Sequence, residues 1–204
     1  MAYHGYIPFM HQFLNNFKNP KILEIGVCDG ITTFALTQRL INSHSSFTYD
    51  GVDILIRPSV VETIKYMIKT NDHVINLINE NSSNFLEKTE SKYDLILIDG
   101  DHNYHTVFQE LSYIDKLINE TTIIICDDYF GRWAEKDLLY SERDEYKDNI
   151  HATKTIDTSR HGVKNAIDDF IKLNNDWNLL TLIPGEPVLL IKNNNVLFNL
   201  EKNE

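Results

Sequence analysis

The chain is short of positive charge. Among 204 residues, 19 Lys and Arg face 30 Asp and Glu, a formal net charge of −11. A surface of that sign repels phosphate backbones and anionic lipid headgroups, so neither nucleic acid nor a membrane is expected as the main partner. Cysteine is nearly absent. The two present, Cys28 and Cys126, cannot form a disulfide framework, and free thiols in a reducing, cytoplasmic setting are expected. No apolar run reaches the roughly 20 residues that span a bilayer, and the N-terminus lacks a charged-then-apolar leader pattern. No internal repeat is visible. What remains is ordinary for one compact unit: 42% hydrophobic and 24% charged residues in a length that suits a single domain over 1–204.

Glycine is scarce too, with 8 in the chain, so two within one short stretch stand out. Lys21-Ile22-Leu23-Glu24-Ile25-Gly26-Val27-Cys28-Asp29-Gly30 reads as an apolar strand, a tight turn and the start of a helix at Ile31. Gly26 and Gly30 admit backbone angles closed to other residues and let a ligand approach the main chain. A helix N-terminus adds unpaired N–H groups and a positive dipole end. The spacing departs from the dinucleotide pattern Gly-x-Gly-x-x-Gly, since Cys28 occupies the middle position, which disfavours a nicotinamide-dependent dehydrogenase.

The rest of the chain repeats a theme of apolar strand, polar end and amphipathic helix. Ile7, Met10, Phe13, Leu14 and Phe17 have helical spacing, giving an N-terminal helical cap over residues 1–20 that Pro20 closes. Tyr3, His4 and Tyr6 in that cap are alternatives as residues covering a substrate. Strands are expected at Phe47–Asp53, His73–Leu77, Tyr93–Ile98 and Thr121–Cys126. Helices are expected at Phe34–Leu40, Val60–Lys69, Tyr104–Ile118 and Gly162–Leu173, and Ser82 or Ser83 is expected to cap a further one. Trp177–Ile183 and Val188–Ile191, joined by Pro184-Gly185-Glu186-Pro187, predict a closing antiparallel hairpin. The sum is an α/β, doubly wound, Rossmann-like sheet of about seven strands, mostly parallel. Residues 130–161 are charged and weakly periodic, an insertion expected to act as a lid.

Acidic residues mark the strand ends. Asp53, one helix and one strand beyond the glycine turn, sits where a carboxylate commonly takes ribose hydroxyls. Asp99, Asp101, Asp127 and Asp128 close two central strands. If those strands are neighbours, like charges converge, at a cost that a divalent cation would offset. Hard oxygen ligands without a Cys or His pattern point to Mg²⁺, with Mn²⁺ or Ca²⁺ as alternatives.

Glu24-x-Gly26-x-x-x-Gly30 resembles the first motif of class I S-adenosylmethionine (SAM)-dependent methyltransferases. The resemblance implies that the glycine turn holds the methionine part of SAM, that Glu24 lies near its amino group, and that Asp53 takes the ribose. It also implies that Asn81 and Ser82 meet the adenine and that Asp99 borders the cofactor. Ile98-Asp99-Gly100-Asp101-His102-Asn103-Tyr104, followed by Ile125-Cys126-Asp127-Asp128-Tyr129, resembles a metal-dependent O-methyltransferase group. That group includes the catechol, caffeoyl-CoA and macrocin-type sugar enzymes. By position, Asp99, Asp127 and Asp128 would be the metal ligands, with Asp128 in place of the group's Asn. His102 falls where the catechol and caffeoyl-CoA enzymes carry a lysine base, and neighbouring acids are expected to raise its pKa. Asp101, Arg132, Trp133, Arg160 and His161 are candidate contacts for the acceptor.

The expected activity is SAM-dependent, divalent-metal-dependent O-methylation of a small hydroxylated molecule such as a sugar or a polyphenol. The alternatives are a metal-independent N- or O-methyltransferase and a non-catalytic nucleotide-binding module. A homo-oligomer is left open.

Overall fold

A computed structural model describes residues 5–68, 72–154, 159–181, 185 and 187–198. Chain order is α1 (Ile7–Leu14), β1 (Lys21–Ile25), α2 (Ile31–Ser43), β2 (Phe47–Asp53), α3 (Pro58–Met67), β3 (His73–Asn79), α4 (Ser82–Lys88), β4 (Tyr93–Ile98), α5 (Tyr104–Ile114), β5 (Ile118–Cys126), α6 (Val163–Leu173), β6 (Trp177–Leu180) and β7 (Val188–Lys192). The strands form one seven-stranded sheet in the order β3-β2-β1-β4-β5-β7-β6. Strands β1 to β5 run parallel, and β7 is antiparallel to both β5 and β6. This is the doubly wound sheet with a closing antiparallel pair that the sequence predicts. Among the described residues no helix is long and apolar enough to cross a membrane.

The central strands read as continuous apolar runs because both their faces are covered. Alternation sends Leu23, Ile25, Ile96, Ile98 and Ile124 to a core shared with α4, α5 and α6. Ile22, Tyr49, Leu95, Leu97 and Ile125 go to the other face, against α1 and α2. The order of the sheet leaves its crossover between β1 and β4, where the two halves of the fold wind in opposite directions. Loops leaving the carboxyl ends there diverge and open a crevice.

Several boundaries differ from the sequence expectations. The N-terminal helix stops at Leu14, where the Asn16 side chain takes over by donating to the Phe13 carbonyl at 2.7 Å. Helix α5 ends at Ile114, and a single 3-10 turn over Asp115–Leu117 leads directly into β5. The polar start of β5 is usable as strand because Thr122 Oγ1 accepts from Asn119 N and donates to the Tyr93 carbonyl. Asn81, not Ser82 or Ser83, caps α4, its side chain accepting from the amides of Ser83 and Asn84. The Tyr6 hydroxyl donates to the Pro187 carbonyl at 3.1 Å, which fastens the N-terminal helix to the closing strands. Tyr3 and His4 lie outside the described residues, as do Lys69, Ile183, Pro184 and Glu186.

Candidate functional site

The carboxyl ends of β1, β2 and β4, with the start of α4, line a partly open pocket. Gly26, Asp53, Asn81, Ser82, Asp99 and Asp101 all line it. Gly26 is forced by two conditions at once. Its φ is +93°, and a Cβ there would fall 2.1 Å from the Asp99 carbonyl oxygen. Gly30 serves another purpose. At φ +73° it caps α2, and a Cβ would meet the Phe34 ring at 2.8 Å. It makes room for packing and does not line the pocket. Cys28, between them, is exposed and takes φ +49°, whereas Cys126 is buried; both thiols are free.

Asp53 is held by backbone amides on both oxygens, from Cys28 and Leu55, each at 2.8 Å. A carboxylate has about four lone-pair sites, so this anchoring orients the group and leaves acceptors for a ligand. Asn81 spends its amide on the α4 cap and on the His151 carbonyl, 2.9 Å away in the insertion. Ser82 donates to Glu110 at 2.5 Å. Glu110 is wholly buried on α5, and burial pushes its pKa up to about 8. Glu24 lies beneath the pocket floor, accepting from the hydroxyls of Thr33 and Tyr49; burial again lifts its pKa to about 8. Neutral acids at those two sites avoid a buried charge without a counterion.

At the other end, neighbouring β4 and β5 bring Asp99 against Asp127. Burial, followed by the charge of Asp127 and then those of Asp128 and Glu24, holds the Asp99 pKa well above its usual range. Asp101 accepts from the Thr106 hydroxyl at 2.9 Å, and burial raises its pKa as well. Asp128, at φ +56°, bends into the turn closed by Gly131, whose amide donates to the Asp128 carbonyl at 3.2 Å. Its Oδ2 stands 3.4 Å from His102 Nδ1. Among the described residues, no group of three or more His, Cys, Asp or Glu is arranged to hold a metal ion. The predicted Mg²⁺ ligands Asp99, Asp127 and Asp128 thus stand at neighbouring strand ends, with the Asp128 charge felt by Asp99 and its carboxylate beside His102, but they are not arranged as a three-ligand centre.

His102 differs from its sequence expectation in sign. Burial lowers its pKa and outweighs Asp101, which raises it, while Arg143 lowers it further. The imidazole is consequently neutral near pH 7 and able to accept a proton. It is not the cap of α5; Asn103 is, accepting from Thr106 N at 2.9 Å.

The described residues of the 130–161 insertion fold over the pocket. Tyr140, Tyr146 and Thr153 line it from above. The insertion is fastened by Asn149 to the Ile54 carbonyl at 2.8 Å and by Leu138 N to the His102 carbonyl at 2.9 Å. Arg57 adds a double ion pair, to Asp29 at 3.1 Å and to Glu145 at 2.9 Å. The predicted acceptor contacts of this segment are placed outside the pocket lining. Arg160 forms a two-toothed pair with Asp169 of α6, His161 pairs with Asp137 at 2.6 Å, and the Arg132 guanidinium lies 4.8 Å over the Trp133 ring. Sequence reasoning missed Glu110, Thr106, Tyr140, Tyr146 and Thr153. Glu110 carried a signal, an acid interrupting the apolar stripe of Val107, Leu111 and Ile114; the others carried none.

The family described as "Methyltransferase domain" matches residues 23–129. No curated protein matches the sequence. Among solved structures, the chain is similar to the Podospora anserina methyltransferase PaMTH1 bound to S-adenosylhomocysteine (SAH). That match has 19% identity and a TM-score of 0.59, covering 91% of this chain and 77% of the other. It is also similar to MycE, a methyltransferase of mycinamycin biosynthesis solved with Mg and SAH: 15% identity, TM-score 0.54, 91% of this chain and 48% of that one. A Clostridium thermocellum protein described as a candidate rRNA methylase shares 14% identity at TM-score 0.55, over 90% of this chain and 94% of its own. The neighbours agree in fold and differ in what is methylated.

Proposed function

The chain belongs to the methyltransferase domain family, and from that premise we propose that it is a SAM-dependent enzyme methylating a hydroxyl oxygen of a small acceptor. The observation that carries the reading is the convergence of Gly26, Asp53, Asn81, Ser82 and Asp99 from separate elements onto one pocket. The cradle fits the cofactor chemically. A close backbone turn lies at Gly26, an anchored carboxylate suits vicinal hydroxyls at Asp53, and a sheltered acid edge lies at Asp99. When bound, SAM supplies a methyl group already activated on a sulfonium.

The chain's own residues then have defined roles. Asp53 accepts from ribose hydroxyls while its backbone anchors fix its direction. Asn81 and Ser82 form the wall beside the base, and Glu110 holds Ser82 from behind. The closed insertion excludes water, which strengthens polar contacts inside. His102, neutral and flanked by Asp128, accepts the proton of the acceptor hydroxyl, and the Asp128 charge stabilises the imidazolium that results. Alignment of two reactants supplies most of the acceleration in such a transfer.

Titration calorimetry of SAH into protein dialysed against EDTA tests the reading. The expected result is binding at one site per chain, weakened at least tenfold in Asp53→Ala. Absence of SAH binding in both EDTA and Mg²⁺ would overturn it. The resemblance to metal-dependent enzymes is tested in the same instrument: SAH heats that need Mg²⁺ would show that the acids rearrange around a cation.

A further inference from the structure

Two aromatic rings from the insertion, Tyr140 and Tyr146, line the pocket. The ring centroids of Tyr140 and Tyr146 are 5.1 Å apart in an edge-to-face pair. The Tyr146 hydroxyl feels Glu145, Arg57, Cys28 and, at the end of β2, Asp53. Asp99 and Asp101, at the end of β4, act on the Tyr140 hydroxyl and not on that of Tyr146, while Cys28 acts on both. The Tyr140 ring centroid is 6.0 Å from that of His102. The ring thus lines the pocket together with Gly26 and Asp99, close to His102, which is itself not a lining residue.

Tyr140 is also held as a neutral phenol. Burial, then the Asp99 charge, pushes its pKa upward, so it does not act as an anion near neutral pH. A neutral phenol keeps an electron-rich face that attracts cations. The ring demonstrates this already, with the Arg143 guanidinium 5.4 Å from its centroid. An aromatic ring has two faces, and Tyr140 also lines the pocket.

Resting on the reading of this pocket as a SAM site, we propose that Tyr140 is the residue that separates the methyl donor from its product: the ring attracts the sulfonium charge of SAM and gains nothing from the neutral thioether of SAH. Discrimination by charge favours loading of donor and release of product.

The test compares SAM and SAH affinities by calorimetry in wild type, Tyr140→Phe, Tyr140→Leu and Tyr140→Gln, with thermal melting to show which variants fold. The Leu and Gln variants both lack a π face, so either one suffices. The expected outcome is loss of SAM affinity by about 2- to 30-fold in Leu or Gln, a change of less than about 2-fold for SAH, and an unaltered SAM-to-SAH ratio in Phe. Equal losses for both ligands would make the ring a mere wall and overturn the proposal. So would a Phe variant that loses the ratio as Leu does, since the hydroxyl and not the ring would then be the reader. Wild type that binds neither ligand would show instead that the SAM reading of the pocket had failed, and the proposal would fall with it.

Discussion

Burial shifts Glu110 and His102 in opposite directions. Glu110 has a folded pKa of about 8 against an ordinary value of 4.5. Below pH 4.5 it is protonated in folded and unfolded chains alike. As pH rises from there to about 8 the unfolded chain ionises first, so stability is progressively lost. Glu110→Gln keeps a hydrogen-bonding partner for Ser82 and removes the ionisation. Its melting temperature is expected to fall less than that of wild type between pH 5 and 8, by about 5 °C or more at the alkaline end. Glu24, shifted to the same value, keeps part of the slope in the variant. Parallel slopes in differential scanning calorimetry would mean that Glu110 is ionised as folded. His102 is lowered by burial. The acid limb of the rate should lie below the ordinary histidine range, near pH 6.5, and His102→Ala should lower kcat by about 10²-fold or more while removing that limb. An acid limb that survives in the variant assigns the proton to another group. The acids at the strand ends were legible in the sequence, because a polar residue after an apolar run marks where a strand leaves the sheet. The direction of the His102 shift was not. Spacing gives its acidic neighbours but says nothing of how deeply the ring is buried.

At the scale of elements, the glycine turn is the least replaceable piece. A Cβ on Gly26 would strike the backbone of Asp99, and no rotamer change relieves a clash with main chain. Gly26→Ala should therefore destabilise by more than about 2 kcal/mol and abolish SAH binding. Gly30→Ala meets the end of the Phe34 ring, which can give way, so its urea midpoint should lie closer to wild type. The reverse order would contradict the division between pocket turn and helix cap. The turn was legible because few residue types can do its work, and β4 and β5 were legible because burial on both faces leaves the apolar runs Leu95–Ile98 and Ile123–Cys126. The insertion was not legible. Its order comes from non-local bonds: Asn81 to His151, Asn149 to Ile54, Leu138 to His102. None of these leaves a period in the sequence. Arg160 and His161 show the consequence, since a charged residue in a long loop suits an acidic neighbour as well as it suits a substrate, and here both pair with aspartates.

For the molecule as a whole, the question is how a ligand enters a pocket that its own chain covers. The sheet and its two flanking cores are apolar and continuous, so they open only when the whole fold does. The insertion is held differently, by a few hydrogen bonds and by the Arg57 pairs to Asp29 and Glu145. These side chains are about a third to two thirds exposed. Exposed pairs of this kind contribute at most about 1 kcal/mol each and weaken with salt. Opening of the insertion should thus cost far less than unfolding, and Arg57 is the residue common to the glycine turn, the loop after β2 and the cover. Arg57→Gln should leave the melting temperature within about 3 °C of wild type. Cleavage between residues 134 and 154 by a protease of broad specificity should nevertheless run several-fold faster in the variant. In wild type, high salt should quicken the same cleavage and SAH should slow it, because a ligand bound beneath Tyr140 and Tyr146 stabilises only the closed cover. If Arg57→Gln lowers the melting temperature as much as it speeds cleavage, the insertion opens only with global unfolding, and entry to the pocket must be by another route.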